Sequence, residues 1–239
     1  MTLVEHLTEL RRRVIICVIA VALAAIVAFI LYPWIIKFLS EPYRQITKHN
    51  RGCAPKGCDL VATDPLQPFA VRLKVATYGG VVLALPVWLW QVWRFVTPGL
   101  HKREKRYAIP FILSSILLFC GGGFVAWLTV PKALQFLANV GGSSITPFFT
   151  ADKYLSLISL MILAFGLSFE FPVLLVFLML VGVLKPRTLS RNRRWAAVGI
   201  TTFAAVITPS QDPYSLAFMA VPMYLFYEAS ILIGKLMKK

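Results

Sequence analysis

Only 10 acidic side chains stand among 25 basic ones in this chain, so the places of the acids carry information. Glu170 lies in the stretch FGLSFEFPV, inside the apolar run 155–184, where it is the one ionisable group. A carboxylate at mid-span costs a few kcal/mol to insert, so it faces protein or water rather than lipid. Two readings follow: a structural hydrogen bond to a neighbouring helix, or a polar cavity that the protein uses. Pro172 removes a backbone donor and predicts a kink about one turn below the acid.

A second group of acids lies among the basic loops: Glu5 and Glu9 near the arginines 11–13, and Glu104 within HKREKR. Local pairing is one reading, Glu9 with Arg12 or Arg13 and Glu104 with its lysine and arginine neighbours; exposed pairs of this kind contribute little to stability. The other is an acidic spot that receives a cationic ligand at the membrane surface. A guanidinium suits it, because its planar fork binds a carboxylate through two bonds.

Other chemistry finds no support. Cys53 and Cys58 form a C-x4-C pair in a polar loop, with no second pair and no histidine cluster, so zinc is not expected. A local disulfide stays open for them if that loop faces an oxidising compartment. Cys17 and Cys120 fall in apolar runs and read as small core residues. His6, His49 and His101 lie outside the apolar runs, and there is no H-E-x-x-H, no pair of intramembrane aspartates and no glycine-rich phosphate loop. A hydrolase and an ATP-binding protein are therefore excluded, and no cofactor is expected.

The elements that must hold these acids are membrane helices. Of 239 residues 58% are apolar, and the mean hydropathy is +0.73, which is the composition of an all-α integral membrane protein with a single domain over 1–239. The net charge of +15 comes from basic residues clustered in short loops between apolar runs; that is the pattern that sets topology, so nucleic acid is not the expected partner. Six spans are expected, at about 14–32, 69–93, 107–130, 155–184, 195–208 and 214–233. The fifth, of about 21 Å, is short of the ~30 Å hydrocarbon core. Leu3, Leu7 and Leu10 share one face of a short amphipathic surface helix over 1–13. The run 14–32 is long enough to span, so a cleaved signal peptide is not expected. WIIKFLSEP opens the loop 34–68 along the interface, and Arg72 and Lys74 are placed to snorkel outward. Pro86 predicts a kink, Gly121, Gly122 and Gly123 permit close helix approach, a loop is expected over 131–153, and Glu228 interrupts the sixth span. The N-terminus, 94–106, 185–194 and the C-terminus hold sixteen basic residues against nine elsewhere, which predicts both termini inside.

The ordered motifs EHLTELRRR, ATDPLQPF, FVTPGLHKRE, FGLSFEFP, ITPSQDP and VPMYLFYE resemble those of the TatC family, the receptor subunit of the twin-arginine protein translocase, over nearly the whole chain. The resemblance implies a cupped arrangement of six helices in the bacterial plasma (inner) membrane. It implies binding of twin-arginine signal peptides of folded precursors at the cytoplasmic face, with TatA/TatB-type single-span subunits as partners, homo-oligomers in the receptor complex and export driven by the proton-motive force. Carried over residue by residue, Glu9 and Glu104 match the positions that recognise the arginines, with Arg11, Phe95, Pro98 and Leu100 around them. Pro42 and Phe69 match outer-loop positions that matter for assembly. Glu170 matches the intramembrane acid whose polar face receives partner subunits, and Asp212 and Glu228 match further acids. Cys53 and Cys58 are not part of the general pattern. The rival reading is a polytopic small-solute transporter; it lacks the inverted repeats with broken helices that such proteins carry.

Overall fold

The computed structural model describes residues 3–47, 60–96, 108–140 and 150–237. The described residues form helices joined by turns, with one isolated parallel bridge between Val61 and Thr150. Apolar runs in lipid must satisfy their backbone internally, and a helix does so within one segment. In chain order these are α1 (Leu3–Ile30), α2 (Tyr32–Thr47), α3 (Gln67–Leu83), α4 (Leu85–Val96), α5 (Ala108–Val140), α6 (Ala151–Phe169), α7 (Phe171–Leu180), α8 (Pro186–Arg191), α9 (Arg193–Ile207) and α10 (Pro213–Met237).

Four segments, Glu5–Ile30, Ile109–Val140, Ala151–Leu180 and Pro213–Leu236, are long and apolar enough to cross a membrane. The pair α3 and α4, bent by 49° at a short break, makes a fifth. The protein is therefore a multi-pass membrane protein. The bend falls at Ala84, two residues before the Pro86 that predicted it, since proline biases the residues ahead of it away from continuing the helix.

Several boundaries differ from the sequence reading, and α2 (Tyr32–Thr47) fills the first part of the expected 34–68 loop with helix. The surface helix over 1–13 and the first span are one element, α1, because nothing between them breaks a helix: leucine, glutamate and arginine all favour it, and there is no glycine or proline from 3 to 30. α5 continues through Pro131 to Val140 instead of ending at 130, and Ala133 and Leu134 beyond the proline are buried in the core. The α6–α7 break falls at Glu170 itself rather than a turn below it. α10 runs unbroken through Glu228.

The core gathers around α6, of whose 19 residues nine are buried, among them Tyr154, Ile158, Met161 and Phe165. α1 lies at the other extreme and exposes Val18, Leu23 and Ile26, the surface expected of a helix that faces lipid. Two glycines set the closest approaches to a neighbouring backbone. A Cβ at Gly80 would meet the Ala25 backbone at 2.8 Å, which fixes α3 against α1, and one at Gly122 would meet the Phe165 carbonyl oxygen at 2.6 Å, which fixes α5 against α6. Of the three consecutive glycines only Gly122 has this role at such range; Gly121 faces open space.

α2 is tied down by its proline. Pro42 has no N–H, which leaves the Phe38 carbonyl four residues back without its helical donor. The Trp127 indole of α5 donates to that carbonyl at 3.1 Å, and the Tyr154 hydroxyl of α6 donates to the adjacent Leu39 carbonyl at 2.6 Å. The position matched to an outer assembly motif is thus the point where α2 is bonded to the core.

Candidate functional site

Glu9 sits on the N-terminal part of α1, in ion pair with Arg13 one turn further along. That spacing puts both side chains on one helix face. Arg13 reaches on to α4, where its Nη1 lies 3.4 Å from the Gln91 side-chain oxygen and 3.5 Å from the Gln91 carbonyl. On the same flank His6 stacks on Phe95, with ring centroids 4.5 Å apart. These contacts bring the first turns of α1 to the last turns of α4, where the chain leaves toward Glu104. Arg11 is exposed on α1. Pro98, Leu100, Glu104, Cys53 and Cys58 lie outside the described residues.

Glu170 occupies the junction of α6 and α7. Its backbone stays helical and bonded, the N–H to the Leu167 carbonyl at 3.1 Å and the carbonyl to the Leu174 N–H at 3.0 Å, so the break costs the chain little. Its side chain faces a cavity of about 450 Å³ bounded by α4, α5, α6, α7 and Phe203 of α9. Trp93, Phe111 and Phe177 form an aromatic wall, with centroid separations of 5.0 to 6.0 Å. Against that apolar wall stand the carboxyl, Ser115 and Ser168. Glu170 Oε1 is buried with no hydrogen-bond partner among the described residues. Unpaired polar atoms in such surroundings cost of order 1–3 kcal/mol, so the cavity is suited to a polar group on an incoming segment. Both readings of Glu170 have a counterpart here: Ser115 on the neighbouring α5 is within its reach, and the cavity is present.

Asp212 and Glu228 serve the scaffold. Asp212, 1% exposed, caps α10: its Oδ1 accepts the Ser215 N–H at 2.8 Å, which satisfies one of the four orphan donors of a helix start. Glu228 joins α10 to α9 through Arg193 at 2.9 Å and accepts from the Tyr224 hydroxyl at 3.4 Å. Phe69 is exposed in the first turn of α3.

Arg72 and Lys74 both have partners, and Lys74 stays about half exposed. The Arg72 guanidinium lies 4.1 Å from the Phe29 ring and 5.3 Å from the Tyr32 ring, and donates to the Phe29 carbonyl at 3.2 Å. A cation at the end of α1 complements its orphan carbonyls and its dipole. Lys74 pairs with Asp152 in the first turn of α6 at 2.6 Å. Sequence reasoning missed these bonds and the Arg13–Gln91 contact because their partners lie 43 to 78 residues apart. No cluster of three metal-ligating side chains occurs among the described residues.

The family model described as Sec-independent protein translocase protein (TatC) matches residues 5–222. The TatC protein of Frankia casuarinae is 40% identical over 238 residues, covering 98% of this chain and 65% of that relative. This chain therefore spans just under two thirds of the Frankia protein's length. The TatC protein of Aquifex aeolicus is 36% identical over 239 residues, covering 99% of this chain and 95% of the relative. A crystal structure of the twin-arginine translocase receptor TatC in DDM superposes with a TM-score of 0.78 at 35% identity, covering 96% of this chain and 99% of that one.

Proposed function

Because the chain belongs to the TatC family of Sec-independent protein translocase proteins, whose members are translocase components rather than enzymes, we propose that it is the receptor for twin-arginine signal peptides of folded precursors. Glu9 and Glu104 take the two arginines, with Arg11, Phe95, Pro98 and Leu100 shaping the surface around them. The observation that carries this reading is the meeting of α1 and α4: Glu9 stands where α4 ends, a few residues before Glu104 in sequence. Two carboxylates are what an arginine pair requires; the general basic field around Glu9 repels cations but is screened beyond ~8–10 Å. Recognition by local, fork-shaped pairing follows.

The receptor lies in the plasma membrane as six spans, α9 being the short one, with both termini and the 94–106 and 185–194 segments in the cytoplasm. The Glu170 cavity takes a polar group from a TatA- or TatB-type helix, and the receptor works as a homo-oligomer in export driven by the proton-motive force. Pro42 and Phe69 support assembly on the outer side.

The test is capture of a peptide bearing an arginine pair by the chain in lipid nanodiscs, beside its lysine-pair counterpart. Selective capture of the arginine peptide is expected. Equal capture of both, or of neither, would favour the solute-transporter reading.

A further inference from the structure

Arg13 and Glu9 are not equally placed. The Arg13 side chain is 12% exposed and the Glu9 side chain 25%, so the arginine is the deeper member. It bonds one carboxylate oxygen, Oε1, through Nη2, while its other terminal nitrogen already touches Gln91 on α4 at 3.4 and 3.5 Å. Those separations are at the long limit of a hydrogen bond, so the second pair of acceptors is underused. A ligand guanidinium that binds Glu9 through its fork needs both carboxylate oxygens. One of them is taken.

We infer that Arg13 is an internal occupant of the Glu9 carboxylate, a stand-in for the ligand's own guanidinium, and that it yields Oε1 and shifts onto Gln91 when an arginine-pair ligand binds. This rests on the reading of Glu9 as a receptor group. The consequence is a tuned affinity. Each binding event must displace a resident guanidinium, and each release is assisted by its return, because a helix neighbour four residues away recaptures the carboxylate faster than a dissolved ligand can. Lysine is affected less, since an ammonium acts as a point charge and requires only one oxygen. Arg13 is thus a specificity- and affinity-setting residue that need not touch the ligand.

The experiment measures binding of an Arg-Arg peptide and a Lys-Lys peptide to the full chain in nanodiscs at fixed salt. Arg13→Gln keeps a polar group near Gln91 and removes the competitor; the arginine peptide is expected to bind roughly fivefold tighter, the lysine peptide less than about twofold tighter. Arg12→Gln removes the same charge from an exposed neighbour and is expected to change neither by more than about twofold. Equal gains from the two substitutions would reduce the effect to general electrostatics and overturn the inference. So would unchanged or weaker binding in Arg13→Gln while Glu9→Gln still loses binding. If Glu9→Gln binds like wild type, the receptor reading itself fails, and the inference with it. Gln91→Leu takes away the displaced arginine's side-chain acceptor and is expected to weaken the arginine peptide by about threefold. Should Arg13→Gln fail to fold, that variant decides alone, and unchanged or tighter binding in it sinks the idea.

Discussion

Glu9 and Glu170 are the same chemical group in opposite situations. Glu9 is a quarter exposed on a basic surface, and its charge is answered by its own helix through Arg13. Glu170 lies in an apolar cavity, and one of its oxygens has no partner among the described residues. The first carboxylate must give up an existing bond to accept a ligand; the second gains one it lacks. A surface acid of this kind is built for exchange and a cavity acid for capture. On the function proposed above, that contrast suits one reversible ligand at the membrane surface and one docking helix within it.

The largest expected effect tests the exchange side. Glu9→Ala and Glu104→Ala should each weaken arginine-pair peptide binding by about tenfold or more, as truncation of one partner of a partly desolvated charge pair does. Glu5→Ala should change it far less. Titration of the four proteins at matched salt decides, and wild-type affinity in the first two variants would dissolve the contrast. Next comes the capture side. Glu170→Ala should abolish most partner-helix crosslinking and transport while peptide affinity stays within about twofold, because Glu170 lies at the α6–α7 junction whereas Glu9 is paired to Arg13 on α1. Parallel loss of both functions with poor folding would turn Glu170 into a structural acid.

A neutral polar contact on the α2 side sharpens the contrast between functional and structural bonds. Trp127→Phe keeps an aromatic ring and strands the Phe38 carbonyl freed by Pro42; because this hydrogen bond is exposed, a loss of about 0.5–1.5 kcal/mol of stability is expected, with peptide binding unchanged. Thermal unfolding in detergent measures it, and an unshifted melting temperature would show that the carbonyl finds another donor. The smallest effect belongs to Lys74→Met. Its pair with Asp152 is half-exposed, so the cost should be under about 1 kcal/mol and should vanish at high salt. A salt-independent loss would mean that the pair is more deeply embedded than its exposure indicates.

Much of this was legible from composition and punctuation. Apolar runs marked the helices, Pro86 announced the α3–α4 bend, and the PSQDP turn fell where α10 begins with its Asp212 cap. What escaped was anything decided by a distant neighbour. Pro131 looked like a stop because proline usually ends a helix, yet burial of Ala133 and Leu134 carries α5 onward. Arg72 looked like a snorkelling cation because the carbonyl and rings that hold it belong to another helix. At the candidate site, the sequence indicated both Arg12 and Arg13 as partners for Glu9, and α4 made the choice by offering Gln91 to Arg13.

The continuity of α1 has a mechanical consequence. A 28-residue helix is a rod of about 42 Å, with Glu9 near one end and the Phe29 carbonyl, clasped by Arg72, at the other. A hinge at residue 13 would have absorbed any disturbance at the ligand end. Without one, the rod acts as a lever: a tilt of roughly 5° about either end sweeps the opposite end through roughly 4 Å, for a length set by the ~1.5 Å rise per residue. That sweep exceeds the play of a hydrogen bond, so the Arg72 clasp is where a pull on the surface end would first be felt on the far side of the bilayer.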